Sequence, residues 1–378
     1  MKKIAVIGST GSIGVQTLNV IRRFPKEFKI VSLAGGYNAG LFLRQIEEFR
    51  PSVATLATEV NSAYVAPKGT KLYTGENAFT NAITEDADIV VIALVGFNGI
   101  IAVLDAINKG KNIALANKES LVVGGELVMK KAKEKGVSIV PVDSEHSAIW
   151  QALDFEFDRD FKKIILTASG GAFRDTPLRE LKRVTSKDAL KHPNWKMGEK
   201  ITVDCATMIN KAFEIAEAKW LYNTSFEKID VIIHRESIIH SMVEYSDNSV
   251  IAQMSYPDME LPIQIALTYP DRLKSNIRGL NFAEIGKLTF EKVDHERYPC
   301  FNLAVEALKR GGAYPAVLNG ANEEAVKLFL CDKIGYMDIY SCIYGALEAF
   351  NGKYDGGFES LSAANEFGFN YVRSKFGE

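Results

Sequence analysis

KIAVIGSTGSIG, residues Lys3 to Gly14, joins a short apolar, β-branched run to a glycine-rich turn, and Val15 to Phe24 then reads as an amphipathic helix stopped by Pro25. A strand that turns through glycines straight into a helix aims backbone amides and a helix N-terminus at one point, which suits a phosphate. The spacing is G-x-x-G-x-x-G rather than G-x-G-x-x-G, and a tight strand-to-helix turn that binds nothing has the same pattern. Beyond it, β-rich runs recur at Lys29 to Leu33, Val53 to Leu56, Ile89 to Leu94, Asn112 to Ala116 and Val137 to Val142, alternating with helical stretches. This alternation predicts an α/β chain whose residues 1–150 form an N-terminal Rossmann-type, doubly wound parallel sheet.

From Phe161 the texture changes. A strand ends in Ser169-Gly170-Gly171, a polar loop holds His192-Pro193-Asn194-Trp195, and one helix is expected from about Ala206 to Leu221. Hairpin-like strands follow at Val231 to His234, Ile238 to Val243 and Ser249 to Ser255, with Ser246-Asp247-Asn248 as a turn. Residues 151–270 are therefore expected to form a central α+β catalytic domain and residues 271–299 a linker. Helical patterns at Phe301 to Arg310, Pro315 to Leu330, Met337 to Phe350 and Leu361 to Phe376 make residues 300–378 a C-terminal helical bundle.

Composition narrows the class. With 47% hydrophobic, 24% charged and 10% aromatic residues in a chain of 378, disorder and low-complexity scaffolds are excluded. Forty-five basic against 47 acidic residues, scattered rather than clustered, point to neither nucleic acid nor a membrane as partner. Cys205, Cys300, Cys331 and Cys342 lack the spacing of a zinc knuckle or a disulfide framework, and a reducing compartment fits them. The apolar run Ile89 to Leu104 is too short for a membrane span, is broken by Gly96, Asn98 and Gly99, and reads as strand, turn and helix. No signal-like or transit-like extension is seen at the N-terminus, so a cytoplasmic, bacterial setting is expected.

In an open parallel sheet, ligands gather outside the carboxyl ends of the strands. The second strand ends in Gly35-Gly36-Tyr37-Asn38, without the carboxylate that would bond a ribose diol, which favours NADP over NAD. Asp143 and Glu145 lie two apart just past another strand, where extended backbone would aim both carboxylates the same way, as a hard cation requires; a solvated acidic turn or helix N-cap, for which Asp143 and Ser144 are suited, is the alternative. Asn210 and Glu214 share a helical face with Lys211 beside them, either as part of an oxygen-rich site or as a solvated ion pair. Oxygen ligands alone favour Mg²⁺ or Mn²⁺ over zinc.

GSTGSIG at Gly8 to Gly14, ANKE at Ala116 to Glu119, VDSEHSA at Val142 to Ala148, TASGGAF at Thr167 to Phe173, HPNWKMG at His192 to Gly198 and VDCATMINKAFE at Val203 to Glu214 together resemble the 1-deoxy-D-xylulose 5-phosphate reductoisomerases, in order and across the chain. The resemblance implies an NADPH- and divalent-metal-dependent enzyme (Mg²⁺, Mn²⁺ or Co²⁺) that rearranges 1-deoxy-D-xylulose 5-phosphate, by retro-aldol cleavage and re-addition, and reduces it to 2-C-methyl-D-erythritol 4-phosphate. It also implies a homodimer. By that resemblance Thr10, Gly11, Ser12 and Ile13 hold the cofactor pyrophosphate, and Gly36, Tyr37, Asn38, Asn117, Glu119 and Gly198 are further nucleotide contacts. Asp143, Glu145 and Glu214 match the metal ligands. Lys118, Ser144, Glu145, Ser169, His192, Trp195, Cys205, Asn210, Lys211 and Glu214 match substrate contacts, and Lys118, Asp143, Glu145, His192 and Glu214 the catalytic residues. Residues 192–198 are expected to form a flap capped by Trp195, or else a loop anchor packed on the surface. Two departures stand out: Tyr37 where many relatives carry a basic residue, and Cys205 where the family usually has serine. Glu217 is expected to tolerate substitution. A metal-independent dehydrogenase and a cofactor-sensing module without turnover are the rival readings.

Overall fold

In the computed structural model, which describes residues 1–60, 64–75 and 78–377, the chain runs β1 (Lys2–Ile7), α1 (Ser12–Arg23), β2 (Phe28–Gly35), α2 (Ala39–Phe49), β3 (Val53–Leu56), β4 (Lys71–Thr74), β5 (Ile89–Ile92), α3 (Asn98–Asn108), β6 (Asn112–Leu115), α4 (Glu119–Lys135), β7 (Ile139–Pro141) and α5 (Ser144–Ala152). It continues through β8 (Lys163–Ala168), α6 (Ser186–Ala189), α7 (Glu199–Thr207), α8 (Ile209–Leu221), β9 (Ile229–Ile233), β10 (Ile239–Glu244), β11 (Val250–Met254) and α9 (Glu260–Thr268). Last come α10 (Phe282–Ile285), β12 (Glu291–Lys292), α11 (Pro299–Arg310), α12 (Tyr314–Leu330), α13 (Asp338–Ala349) and α14 (Phe358–Phe376). Two units divide the chain: Met1–Asn117 with Lys130–Ser147 and Asp258–Ile277, and Lys118–Met129 with Ala148–Pro257 and Arg278–Glu378.

The first unit is built on a parallel sheet of order β4-β3-β2-β1-β5-β6-β7. The chain winds one way from β1 to β4 and the other way from β5 to β7, so the switch point lies between β1 and β5, where the glycine loop leaves β1. Ile4, Val6, Leu33 and Leu56 from the strands pack with Leu18, Phe42 and Ile46 from the helices. Every strand expected from the sequence is present, and β4 is an addition: the four-residue KLYT of an edge strand is too short and too exposed to declare itself. The strand, turn and helix expected over Ile89 to Leu104 are β5 and α3, and among the described residues no helix is long and apolar enough to cross a membrane.

The first unit also takes in α9, which the sequence had grouped with the central segment. Ile263, Ala266 and Leu267 join its core, Lys2 Nζ donates to the Leu267 and Tyr269 carbonyls at 2.9 and 3.1 Å, and Arg23 pairs with Glu260 at 2.5 Å.

The second unit carries a mixed sheet, β11-β10-β8-β9-β12, in which β8 and β9 run parallel and the other neighbours antiparallel. The expected linker is structured: it contains α10 and β12, Arg297 donates to the Phe173 and Thr176 carbonyls, and the Tyr298 hydroxyl donates to Gly170 O at 2.8 Å. The four C-terminal helices fall within three residues of their expected bounds, with α12 packed against α13 and α14. They do not stand apart, because α11 packs on α8 and α12 on α7. The single helix expected from Ala206 to Leu221 is broken: Met208 adopts φ 59°, ending α7 and starting α8 in one left-handed residue.

Candidate active site

At the end of β1, Gly8 has φ +96°, and a Cβ there would sit 2.5 Å from Ala93 O, so both the left-handed turn and the close approach to the β5 end demand glycine. Gly11 is the N-cap residue of α1; no side chain caps the helix and its first turn holds no acidic residue, leaving an electropositive end bordered by Thr10, Ser12 and Ile13. Past β2, Tyr37 projects at 86% exposure, and Asn38 caps α2 by accepting the Leu41 amide at 3.1 Å. Asn117, expected to touch nucleotide, is buried and donates to the Leu94 and Gly96 carbonyls at 3.1 and 3.0 Å, so it fixes the loop after β5.

The second loaded strand end differs in its geometry from the expectation. Asp143 does not simply end a strand: it precedes α5 and its Oδ1 accepts the Glu145 amide at 3.2 Å, an N-cap arrangement, while Glu145 sits in the first turn and takes a 2.5 Å hydrogen bond from Ser144 Oγ. The carboxylates converge nonetheless, with ligand oxygens within 4.8 Å of one another, because a cap residue and the second residue of a helix share its N-terminal rim. His146 Nδ1 lies 3.1 Å from Asp143 Oδ1 and orients it.

In the second unit Lys118 Nζ donates to Asn210 Oδ1 at 2.8 Å and to Glu214 Oε1 at 3.2 Å, and Lys211 Nζ donates to Glu214 Oε2. All four side chains are buried, so the solvated-pair reading of Lys211 and Glu214 is wrong. Cys205 lies in the last turn of α7, not at the start of the helix that carries Glu214. Burial, with the Glu214 carboxylate adding to it, pushes the Cys205 thiol well above its ordinary value despite Lys118 and Lys211, so it stays protonated. The β8 loop presses on this helix end: Gly171, at φ +68°, would place a Cβ 2.4 Å from Cys205 O.

His192 shows a defined tautomer. Its Nδ1 accepts the Asn194 and Trp195 amides at 3.2 and 2.9 Å, so in the neutral ring Nε2 carries the proton and donates to Ser169 Oγ at 3.0 Å. Ser169 Oγ also accepts the Gly171 amide at 3.2 Å, so its own O–H is left to act as a donor. Trp195 is half-buried, its ring edge-on to His240 with centroids 6.0 Å apart, and Asn194 ties the loop to Arg235 O and Ser237 Oγ at 2.6 and 2.7 Å.

Sequence reasoning missed a buried charge network. Lys200, two residues past Gly198, pairs with Glu119 at 3.0 Å and Asp204 at 2.9 Å, and Asn322 donates to Asp204 at 2.9 Å. Glu119, expected as a nucleotide contact, therefore has its carboxylate committed to Lys200. The only available signal was the i,i+4 spacing of Lys200 and Asp204. Glu217, expected to be tolerant, is fully buried.

A doubly wound sheet with its glycine loop at the switch point, in a chain whose second unit gathers lysines, a carboxylate and a histidine–serine pair, defines a dinucleotide-dependent oxidoreductase. Family models narrow the class: 1-deoxy-D-xylulose 5-phosphate reductoisomerase matches residues 4–125, its C-terminal domain matches residues 139–222, and a second DXP reductoisomerase C-terminal domain matches residues 254–367. A 1-deoxy-D-xylulose 5-phosphate reductoisomerase of Geobacillus sp. is 49% identical over 381 residues, covering 99% of this chain and 100% of the relative; one from Bacillus thuringiensis subsp. konkukian is 46% identical over 376 residues, 98% of each. Among solved structures, the Zymomonas mobilis reductoisomerase in complex with NADPH superposes with a TM-score of 0.91 at 37% identity, over 99% of this chain and 98% of that one. A DOX-P reductoisomerase in complex with NADPH, fosmidomycin and magnesium gives 0.92 at 36%, over 100% and 98%. The chain belongs to the 1-deoxy-D-xylulose 5-phosphate reductoisomerase family.

Proposed function

We propose that the protein converts 1-deoxy-D-xylulose 5-phosphate to 2-C-methyl-D-erythritol 4-phosphate with NADPH and a divalent cation, an early step of non-mevalonate isoprenoid synthesis in the cytoplasm. The observation that carries this is the buried set Lys118, Asn210, Lys211 and Glu214 beside Cys205 in a chain of this family. Asp143, Glu145 and Glu214 fit a hard cation: they offer carboxylate oxygens only, and the first two already converge. When bound, the cation serves as a Lewis acid toward the ketone and NADPH supplies hydride. Lys118 and Lys211 place positive charge where oxyanions develop. Ser169, whose oxygen already accepts from His192 and Gly171, donates its O–H to the substrate phosphate together with Cys205, Asn210 and Lys211, and Ser144 is a further substrate contact. Trp195, carried on residues 192–198, excludes water over the bound substrate. The pyrophosphate lies on Thr10 to Ile13, with Gly36, Tyr37 and Asn38 on its adenosine side; Gly198 is the remaining nucleotide contact, and Asn117 and Glu119 act through the loop and the network they hold. We further place a homodimer contact at β11, an edge strand whose Val250 and Ile251 are about half exposed. Loss of NADPH absorbance that needs both substrate and metal tests the reading; turnover of a simple alcohol unaffected by EDTA refutes it.

Two further outcomes follow. Because Tyr37 is exposed and no acidic residue follows β2, NADPH is preferred over NADH, and Tyr37→Arg widens the ratio of kcat/KM values through a charge-assisted bond to the 2′-phosphate. Equal use of both cofactors by the parent contradicts this. A thiol recovers only part of the energy of a hydrogen bond to a charged group, so Cys205→Ser lowers KM for the phosphorylated substrate roughly three- to tenfold, with cofactor affinity unmoved. An equal gain on a substrate lacking the phosphate assigns Cys205 to packing instead.

A further inference from the structure

Gln45 is a polar side chain where an apolar one is expected. It lies on the inner face of α2 between Phe42 and Ile46, both in the core, and is itself 2% exposed. A buried carboxamide costs free energy unless its groups are bonded, so a leucine here would serve simple packing as well or better. Both ends of the amide are bonded to one residue: Ser9 Oγ donates to Gln45 Oε1 at 2.8 Å, and Gln45 Nε2 donates to Ser9 O at 2.9 Å. Ser9 is the second residue of the loop Gly8–Gly14 and is fully buried. The same loop is held by Ala34 O, which accepts the Gly8 and Ser9 amides at 2.9 and 2.8 Å, and by the contact of Gly8 with the end of β5.

The partner side of this bond is informative. Ala34 belongs to β2, which runs into Gly36 and Tyr37, and Asn38 then caps the helix that carries Gln45. Gln45 thus ties the loop that would meet the pyrophosphate to the helix whose N-terminus carries the adenosine-side segment. We infer that Gln45 is a positioning residue that sets the spacing between these two halves of the dinucleotide site, an inference that rests on the cofactor reading above. It touches neither half of the ligand. Its effect is on linkage: a dinucleotide gains from both halves only if they are held at the span of one molecule, whereas a ligand that uses one half does not sense that span.

The test titrates NADPH and adenosine 2′,5′-bisphosphate, which carries the adenosine half alone, into the parent protein, Gln45→Leu and Ser9→Ala. In Gln45→Leu, Kd for NADPH is expected to rise about tenfold, equivalent to about 1.4 kcal/mol. Kd for the bisphosphate stays within about twofold, as does KM for 1-deoxy-D-xylulose 5-phosphate at saturating NADPH. Ser9→Ala keeps the bond from Gln45 Nε2 to Ser9 O and shows the same pattern at smaller amplitude; it decides the matter if Gln45→Leu does not fold. A parent that binds no NADPH overturns the cofactor reading and this inference with it. A parent that binds while both variants bind NADPH equally well, or lose both ligands alike with a fall in Tm, overturns the inference alone and leaves Gln45 a structural residue.

Discussion

Glu214→Gln abolishes most turnover while NADPH still binds. Glutamine keeps the shape of the side chain but removes the charge that Lys118 and Lys211 both meet in a buried site, and it removes one of three anionic oxygens proposed for the cation. Loss of an outer-shell partner costs roughly 10–100-fold, so loss of a ligand that also organises two lysines is expected to exceed that. The effect is greatest at limiting Mg²⁺ and is measured as kcat across a metal titration, with NADPH affinity followed in parallel. Near-normal turnover at limiting Mg²⁺ removes Glu214 from the ligand set. Glu227, exposed, is the suitable control for a Glu-to-Gln change, since Glu217 is buried in the same helix.

Lys200→Met is expected to cause the largest loss of stability. It leaves Glu119 and Asp204 facing each other without their cation, and breaking a buried pair by removing one partner costs about 3–5 kcal/mol. A fall in Tm of about 4–6 °C follows for a chain of this size. The pH dependence gives a second, independent sign. Burial, the largest single influence, raises the Glu119 carboxyl, but Lys200, a backbone hydrogen bond and Lys118 together hold the group below its ordinary value, so in the parent Glu119 stabilises the fold above about pH 4.3 and that contribution is lost as pH falls through the depressed value. Without Lys200 the pull that lowers Glu119 is weakened while burial remains, so in the variant the carboxyl moves up from its value in the parent and takes its proton at a higher pH. The Tm gap between the two proteins therefore narrows as pH falls through the carboxylate range; a constant gap means that Glu119 is not the group responsible. Lys200→Arg restores most of the loss.

Local patterns accounted for the sheet of the first unit, because a glycine turn after an apolar run and a period-two or period-3.6 apolar pattern are written within ten residues of each other. What was not legible depended on distant partners. Glu119 reads as a nucleotide contact and Lys200 carries no reading, because their pairing shows only when α4 and α7 are seen together, and Asn322, more than a hundred residues on, has no local mark of its role. Met208 carries none of the glycine or asparagine signal that usually accompanies a left-handed residue, so the division between α7 and α8 was hidden. The proposed ligand residues were found by resemblance and by residue type, while the reason for the convergence of Asp143 and Glu145 was misread, because a helix cap and a strand end look alike in the one-letter sequence.

The return of α9 to the first unit sets a schedule for biosynthesis. Its Ile263, Ala266 and Leu267 complete a core begun by Ile4 and Val6, so about 260 residues must leave the ribosome before that core can close. Until then the nascent sheet displays an uncovered apolar strip while the whole of β8 to β11 is threaded out between its beginning and its end. A fragment cut after residue 150 would keep that strip permanently, and is expected to aggregate or to require a chaperone, even though it contains every strand of the sheet.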